Sequence, residues 1–138
     1  MFIGEYRDKD YYNNIYKKYK DYVIFTGMRE NVFDYFKSAD LFLFLSYRES
    51  AGQVLMEAMN FSLPLISWDI IGVREIIKNG QNGYLVEFGN YSKLQEKINK
   101  ITQDEEIYIK IANRSFLDSK NYLIQHNVDR LMKIYYGK

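Results

Sequence analysis

The stretch from Leu41 to Asn60 constrains the fold of this chain more than any other part of the sequence. It begins with an apolar run, Leu41–Leu45, which has the length of one buried strand. A polar turn follows at Ser46–Gly52, and Gln53–Met59 then has the pattern of a helix. A strand that enters a helix through a short polar loop is half of a βαβ unit. The chain is therefore predicted to be an α/β protein with a parallel sheet.

Two carboxylates frame this turn, and they suggest a ligand. Glu49 lies in the loop and Glu57 lies inside the helix. Because helical side chains lean toward the amino end of their helix, Glu57 is predicted to point toward the loop that holds Glu49. The small or polar residues Ser50–Gln53 allow backbone N–H groups to face a ligand, and such groups at a helix start favour phosphate. Carboxylates accept hydrogen bonds from sugar hydroxyls, so the two features together describe a nucleotide sugar.

The segment Glu49–Met59 resembles the E-x7-E segment of retaining GT-B glycosyltransferases of family 4 type, the group 1 glycosyl transferases. The resemblance is close over Met1–Gly89 and looser beyond it. Further segments agree with that family in order and spacing: Gly4, Val23–Gly27, Ser38–Asp40, Leu63–Ser67 with Asp69, Gly72 and Glu75, and Asn79–Val86.

The resemblance implies a Rossmann-like parallel sheet flanked by helices, which is the C-terminal half of a GT-B fold, here lacking the usual first strand. It implies that residues 1–138 are a single donor domain, truncated at its N-terminus. The family's pyrophosphate-binding Arg and Lys would precede Met1. The turn after Gly4 has only one glycine where the family has a glycine-rich turn.

The resemblance also implies transfer of a sugar from a nucleoside diphosphate donor to a hydroxyl acceptor, with retention of configuration. Glu49 is then the catalytic residue that orients the donor sugar, and Glu57 holds the ribose hydroxyls. A capping role for Glu49, a solvated Glu57 and a plain surface role for Arg29 remain open alternatives. The residues expected to bind the donor are Gly4, Gly27, Met28, Arg29, Ser50, Ala51, Gly52, Gln53, Val54 and Glu57.

The composition excludes several other classes of function. Lys and Arg number 19 against 18 Asp and Glu, which gives no reason to invoke nucleic acid as a partner. There are no cysteines, and the single histidine, His126, has no Cys or second His beside it, so no metal and no cofactor beyond the donor are expected. No apolar run approaches the roughly 20 residues that a membrane-spanning helix needs. We expect a cytoplasmic protein, with the full enzyme at the inner face of the membrane.

The expected partners are a nucleotide sugar and the missing N-terminal acceptor domain or a partner chain. The chain alone is therefore expected not to transfer sugar, and its pathway is expected to be polysaccharide, lipopolysaccharide or glycolipid synthesis. One alternative is a non-catalytic nucleotide-binding or assembly module on the same half-fold, and another is a sugar-nucleotide epimerase.

Local patterns predict the remaining elements. Tyr12, Ile15, Tyr16 and Tyr19 recur at helical spacing, and Leu94, Ile98 and Ile101 line one face of a later helix. Ser92 with Gln95 and Thr102 with Glu105 have capping-box spacing. Strands are predicted at Tyr22–Phe25, Leu63–Trp68 and Tyr84–Val86, a short helix after Ile70–Glu75, and a last helix at Tyr122–Tyr136.

Overall fold

The computed structural model describes residues 1–4, 8–46, 48–49, 52–122 and 132. Two compact units are present, an amino-terminal unit at Met1–Tyr35 and a carboxyl-terminal unit at Phe36–Lys138. The helices among the described residues are α1 (Lys9–Tyr19), α2 (Phe33–Lys37), α3 (Gln53–Asn60), α4 (Tyr91–Thr102) and α5 (Glu105–Ser119), with a 3-10 turn at Lys120–Tyr122. The strands are β1 (Phe42–Phe44), β2 (Leu65–Trp68) and β3 (Gly83–Val86).

The amino-terminal unit is held together by aromatic rings around α1. Asp8 caps the helix, because its side chain accepts a hydrogen bond of 2.9 Å from the Tyr11 N–H. Tyr12 and Tyr16 then meet the ring of Phe25 edge-on, with centroids 5.8 Å away in both cases. The helical spacing of the tyrosines therefore predicted both the helix and the face that it presents to Phe25.

The strand predicted at Tyr22–Phe25 is wrong in extent, because the described residues form a single parallel bridge there, between Phe2 and Phe25. The Phe2 N–H donates to the Ile24 carbonyl at 2.7 Å, and the Thr26 N–H donates to the Phe2 carbonyl at 3.0 Å. A strand needs a partner that stays extended over several residues, and among the described residues the pairing is limited to Phe2.

The carboxyl-terminal unit is built on the predicted parallel sheet, which has the strand order β1-β2-β3. Phe42 pairs with Leu65, and Leu65 pairs with Gly83. All four residues of β2 are buried, as is typical of a central parallel strand that is covered on both faces. The predicted fold class is confirmed in this unit, and the carboxyl ends of the strands meet at one edge of the sheet.

Helices α4 and α5 enclose one part of the core. Leu94 and Ile101 of α4 are buried and Ile98 is partly buried, so the predicted apolar face of this helix is confirmed. The Ser115 hydroxyl of α5 donates a buried hydrogen bond of 2.8 Å to the Leu63 carbonyl just before β2. The core cluster consists of Ile66, Trp68, Tyr84, Val86, Leu94, Ile101 and Ile111.

Both predicted capping boxes are wrong. Ser92 and Thr102 lie inside α4, where a residue cannot cap. The side chain of Asn90 caps α4 by accepting from the Lys93 N–H at 3.0 Å, and that of Asp104 caps α5 by accepting from the Ile107 N–H at 3.0 Å.

The segment after β2 forms turns at residues 71–76, so the short helix predicted there is also wrong. Gly72 has φ 91°, which interrupts a right-handed helix. The side chain of Asn82 engages the backbone of Ile76 and Lys78, which a continuing helix would use for its own hydrogen bonds. His126 and most of the predicted last helix lie outside the described residues; Tyr122 ends the 3-10 turn, and Met132 is helical and exposed. Of the helices in the described part of the chain, none is long and apolar enough to cross a membrane.

Candidate donor-binding site

The start of α3 packs directly against the loop that follows β2. Strands β1 and β2 are parallel neighbours, so the loops that follow them leave the same edge of the sheet. Gly52 precedes the helix with φ 59° and ψ 30° and is buried. A Cβ atom at Gly52 would lie 2.5 Å from Ile76 Cδ1 and 3.5 Å from the Gly72 carbonyl oxygen. Both the left-handed backbone and the lack of space therefore require glycine at this position.

Glu49 is fixed at this helix start by its own side chain. Its Oε1 accepts a hydrogen bond of 3.0 Å from the Gly52 N–H, and the residue is half-buried. The N-cap residue of α3 is Gly52, and no side-chain hydrogen bond caps the helix among the described residues, so Glu49 holds the residue before the helix rather than capping the first turn. This contact does not exclude a second role, because an ionised carboxylate has two oxygens and several acceptor positions.

The backbone N–H groups of the first turn are only partly used. The Leu55 and Met56 N–H groups donate to the Gly52 carbonyl at 2.9 and 3.3 Å. For the N–H groups of Gln53 and Val54, the described part of the chain offers no acceptor. Two donors at the positive end of the α3 dipole thus suit an anion. Ser50 and Ala51, which were predicted to join them, lie outside the described residues.

Glu57 lies one turn further along α3 than Gln53, on the same face of the helix. It is half-buried, while the neighbouring Leu55 and Ala58 face the core and are fully buried. No ion pair or hydrogen bond joins its side chain to another described residue. A half-buried carboxylate of this kind is well suited to accept ligand hydroxyls.

The structure also brings together two of the residues predicted in the amino-terminal unit. The Gly4 N–H donates a hydrogen bond of 3.1 Å to the Gly27 carbonyl. Gly27 has φ 70°, and no atom lies within 4 Å of a Cβ built there. Met28 is 76% exposed and Arg29 is also exposed, so the turn presents its side chains to solvent.

Arg74, in the loop after β2, forms an ion pair at the surface. Its Nε lies 2.6 Å from Asp69 Oδ1, and both side chains are exposed to solvent. The hydrogen bond to Asp69 and its negative charge raise the pKa of the Arg74 guanidinium above its ordinary value. The residues that sequence reasoning missed are Ile76, which meets Gly52, and Asn82, which holds the Ile76 carbonyl. The only available signal for Asn82 was its place beside Gly83, which indicated a turn and nothing more.

Within the ranges that the structure describes, no group of three or more His, Cys, Asp or Glu residues could hold a metal ion. The expectation of a metal-free site stays a prediction.

Comparison with known proteins places the chain in a family. The family model "Glycosyl transferases group 1" matches residues 1–117. N-acetyl-alpha-D-glucosaminyl L-malate synthase of Bacillus anthracis is 35% identical over 96 residues, which are 70% of this chain and 25% of that protein. The capsular polysaccharide biosynthesis glycosyltransferase CapM of Staphylococcus aureus is 32% identical over 73 residues, which are 53% of this chain and 19% of that protein.

Solved structures show the same fold. Anabaena HepE in complex with UDP and glucose has a TM-score of 0.84 at 21% identity, over 99% of this chain and 40% of that one. The C-terminal domain of the group 1 glycosyl transferase LpcC from Francisella tularensis has a TM-score of 0.76 at 25% identity, over 86% of this chain and 65% of that one. The chain spans about a quarter of the Bacillus anthracis relative and two fifths of HepE. The chain belongs to the group 1 glycosyl transferases of family 4, and its fold is that of the C-terminal half of the GT-B glycosyltransferases.

Proposed function

We propose that this chain is the donor-binding domain of a retaining glycosyltransferase, which transfers a sugar from a nucleoside diphosphate sugar to a hydroxyl acceptor. The observation that carries the proposal is the start of α3, where Glu49 accepts from the Gly52 N–H and the N–H groups of Gln53 and Val54 have no acceptor in the described part of the chain. The UDP and glucose held by HepE, a structural relative, support a donor of this class.

The leaving group of such a reaction is a nucleoside diphosphate, so the site has to stabilise the negative charge that develops on it. In our proposal the N–H groups of Gln53 and Val54 donate to this diphosphate, together with those of Ser50 and Ala51. The Gly52 N–H is a weaker candidate than the sequence suggested, because Glu49 already accepts from it. Gly52 serves the site instead by allowing the loop after β2 to approach the helix start.

In our proposal, Glu49 and Glu57 bind different parts of the donor. Glu49 accepts a hydroxyl of the transferred sugar, since a carboxylate offers several acceptor positions. Glu57 accepts the ribose hydroxyls, since it is half-buried one turn along the same helix. For Gly4, Gly27, Met28 and Arg29 of the amino-terminal unit, binding of the donor stays a prediction.

The acceptor is bound outside this chain, by an N-terminal acceptor domain or a partner chain. Relatives named for capsular polysaccharide and lipopolysaccharide core biosynthesis support a pathway that builds polysaccharide, lipopolysaccharide or glycolipid. We expect no sugar transfer by this chain alone with simple acceptors. Steady turnover by the isolated chain would contradict that expectation.

The donor site is tested by titrating the chain with UDP, GDP and ADP in a calorimeter. We expect one nucleotide to bind, and Glu57→Gln to weaken its binding about tenfold, because the amide replaces a charged acceptor with a neutral one. Glu106→Gln is a matched control, since Glu106 is an exposed glutamate in the first turn of another helix. Equal losses in the two variants, or no binding to the unmodified chain, would overturn the proposal.

A further inference from the structure

Asn82 is a fully buried polar residue whose side chain links three parts of the carboxyl-terminal unit. Its Nδ2 donates to the Ile76 carbonyl at 3.0 Å and to Asp118 Oδ2 at 2.9 Å. Its Oδ1 accepts from the Lys78 N–H at 2.8 Å. Both amide hydrogens are thereby used, so a change at Asn82 leaves buried partners without hydrogen bonds.

The Ile76 carbonyl matters because the side chain of the same residue meets the start of α3. Ile76 is 4% exposed, and its Cδ1 occupies the space that a side chain at Gly52 would need. The Gly52 N–H in turn holds Glu49. A short series of direct contacts therefore connects Asn82 to Glu49 through Ile76 and Gly52.

Helix α5 holds Asn82, at the other end of this series of contacts, through Asp118. The Asp118 side chain is 13% exposed, and its Oδ1 lies 2.8 Å from Arg114 Nε. Just beyond α5, the Tyr122 hydroxyl donates to the Glu75 carbonyl at 3.2 Å, so a second bond reaches the same loop. The loop after β2 is thus tied on its far side to α5 and packs on its near side against α3.

We propose that Asn82, supported by Asp118, is a positioning residue of the donor site, which sets the place of Gly52 and Glu49 through Ile76. The expected effect on nucleotide affinity rests on the proposed function. The coupling of Asn82 to Gly52 through Ile76 does not depend on it. Asn82 touches no part of the proposed donor and acts only through Ile76.

The test compares two variants that each remove a buried hydrogen bond made by a polar side chain. Asn82→Asp removes the amide donor and sets a carboxylate against Asp118. Ser115→Ala removes the bond of α5 to the Leu63 carbonyl, at the opposite end of β2 from the loop. Thermal unfolding of both variants shows that each is folded and how much stability each has lost.

We expect Asn82→Asp to weaken UDP binding about tenfold and Ser115→Ala to change it less than about twofold, because only the first acts on the loop at Gly52. We also expect the backbone amide resonance of Gly52 to shift in Asn82→Asp and to stay in place in Ser115→Ala. A purely structural role for Asn82 would give the two variants the same affinity and the same Gly52 resonance, and that result would overturn the proposal.

The two readouts separate this inference from the proposed function. If the unmodified chain binds no nucleotide, the proposed function fails, and the Gly52 resonance alone decides whether the coupling exists. If Asn82→Asp does not fold, Asp118→Ala takes its place, because it removes only one of the partners of Asn82. An unmoved Gly52 resonance in Asp118→Ala would then overturn the coupling, and a shifted one would support it.

Discussion

The two compact units differ in how they bury their apolar side chains. In the carboxyl-terminal unit, Leu55 and Ile66 are fully buried and Trp68 is 3% exposed. In the described part of Met1–Tyr35, no residue is buried, and Phe2 is still 50% exposed. One unit is therefore stabilised by a core between a sheet and helices, while the other depends on half-exposed rings around Phe25.

The same difference applies to one glycine in each unit. Gly52 is enclosed by Ile76, Leu55 and Gly72, whereas Gly27 has open space around it. Packing around Gly52 thus determines the position of the start of α3. At Gly27 only the backbone conformation is specified.

The largest effect is expected in the core. Ile66→Ala should lower the free energy of unfolding by about 2–5 kcal/mol, because a fully buried aliphatic side chain leaves a cavity. Phe25→Ala should cost roughly half as much, because this ring is only partly buried. Urea unfolding measures both values, and equal losses would mean that the amino-terminal unit has a core of its own.

Substitution of the two glycines comes next. Gly52→Ala should cost about 2–4 kcal/mol, from a left-handed backbone and from the clash with Ile76 together. Gly27→Ala should cost only about 1–2 kcal/mol, because the backbone conformation is its only penalty. Gly80→Ala is the control, since Gly80 has φ 79° and equally open surroundings. If Gly27→Ala were as harmful as Gly52→Ala, the contrast between the enclosed and the open position would be lost.

One hydrogen bond at a helix start in each unit extends the comparison. Glu49→Ala should lower stability by about 1 kcal/mol, because the Gly52 N–H loses its acceptor, and Glu49→Gln should cost less because an acceptor oxygen remains. Asp8→Ala removes the corresponding bond to the Tyr11 N–H in the amino-terminal unit. That bond is exposed to water, so we expect a smaller loss there. Thermal unfolding of the three variants measures their losses of stability. A larger loss for Asp8→Ala than for Glu49→Ala would contradict the expected order.

The smallest effect is expected on the surface of α4. Hydrogen bonds from Lys93 and Lys97 lower the pKa of the Glu96 carboxyl to about 2. Since the folded-state pKa lies below the ordinary value of 4.5, the contribution to stability is present above pH 4.5 and is lost as the pH falls through about 2. Glu96→Gln should flatten the pH dependence of the melting temperature in this window, and 1 M salt should hide the difference. Identical profiles for the two proteins at low salt would show that the carboxylate contributes nothing.

The spacing of apolar residues predicted the helices and strands that bury those residues. The position of a helix cap was not predicted correctly where two nearby polar residues are both suitable for it. β1, α3 and α4 lie where their apolar residues placed them. The cap of α4 was missed because Asn90 and Ser92 are both suitable residue types, and only the backbone direction after Gly89 selects the first. Glu49 was predicted as a site residue from the residues next to it in sequence, and that role stays a prediction, while its contact with the Gly52 N–H lies within the same local segment. Asn82 was not recognised, because its bond to Asp118 spans 36 positions and no local pattern announces it.

The all-parallel strand order has a consequence for how the chain folds. Phe42 can pair with Leu65 only after the segment that contains α3 has brought the two strands side by side. Leu65 can pair with Gly83 only after the loop between β2 and β3 has closed. No tight hairpin is available to nucleate this sheet, so its folding rate is governed by closure of long loops. During synthesis, the apolar run Leu41–Leu45 leaves the ribosome before its partner strand β2, so we expect chaperone binding or aggregation at this segment.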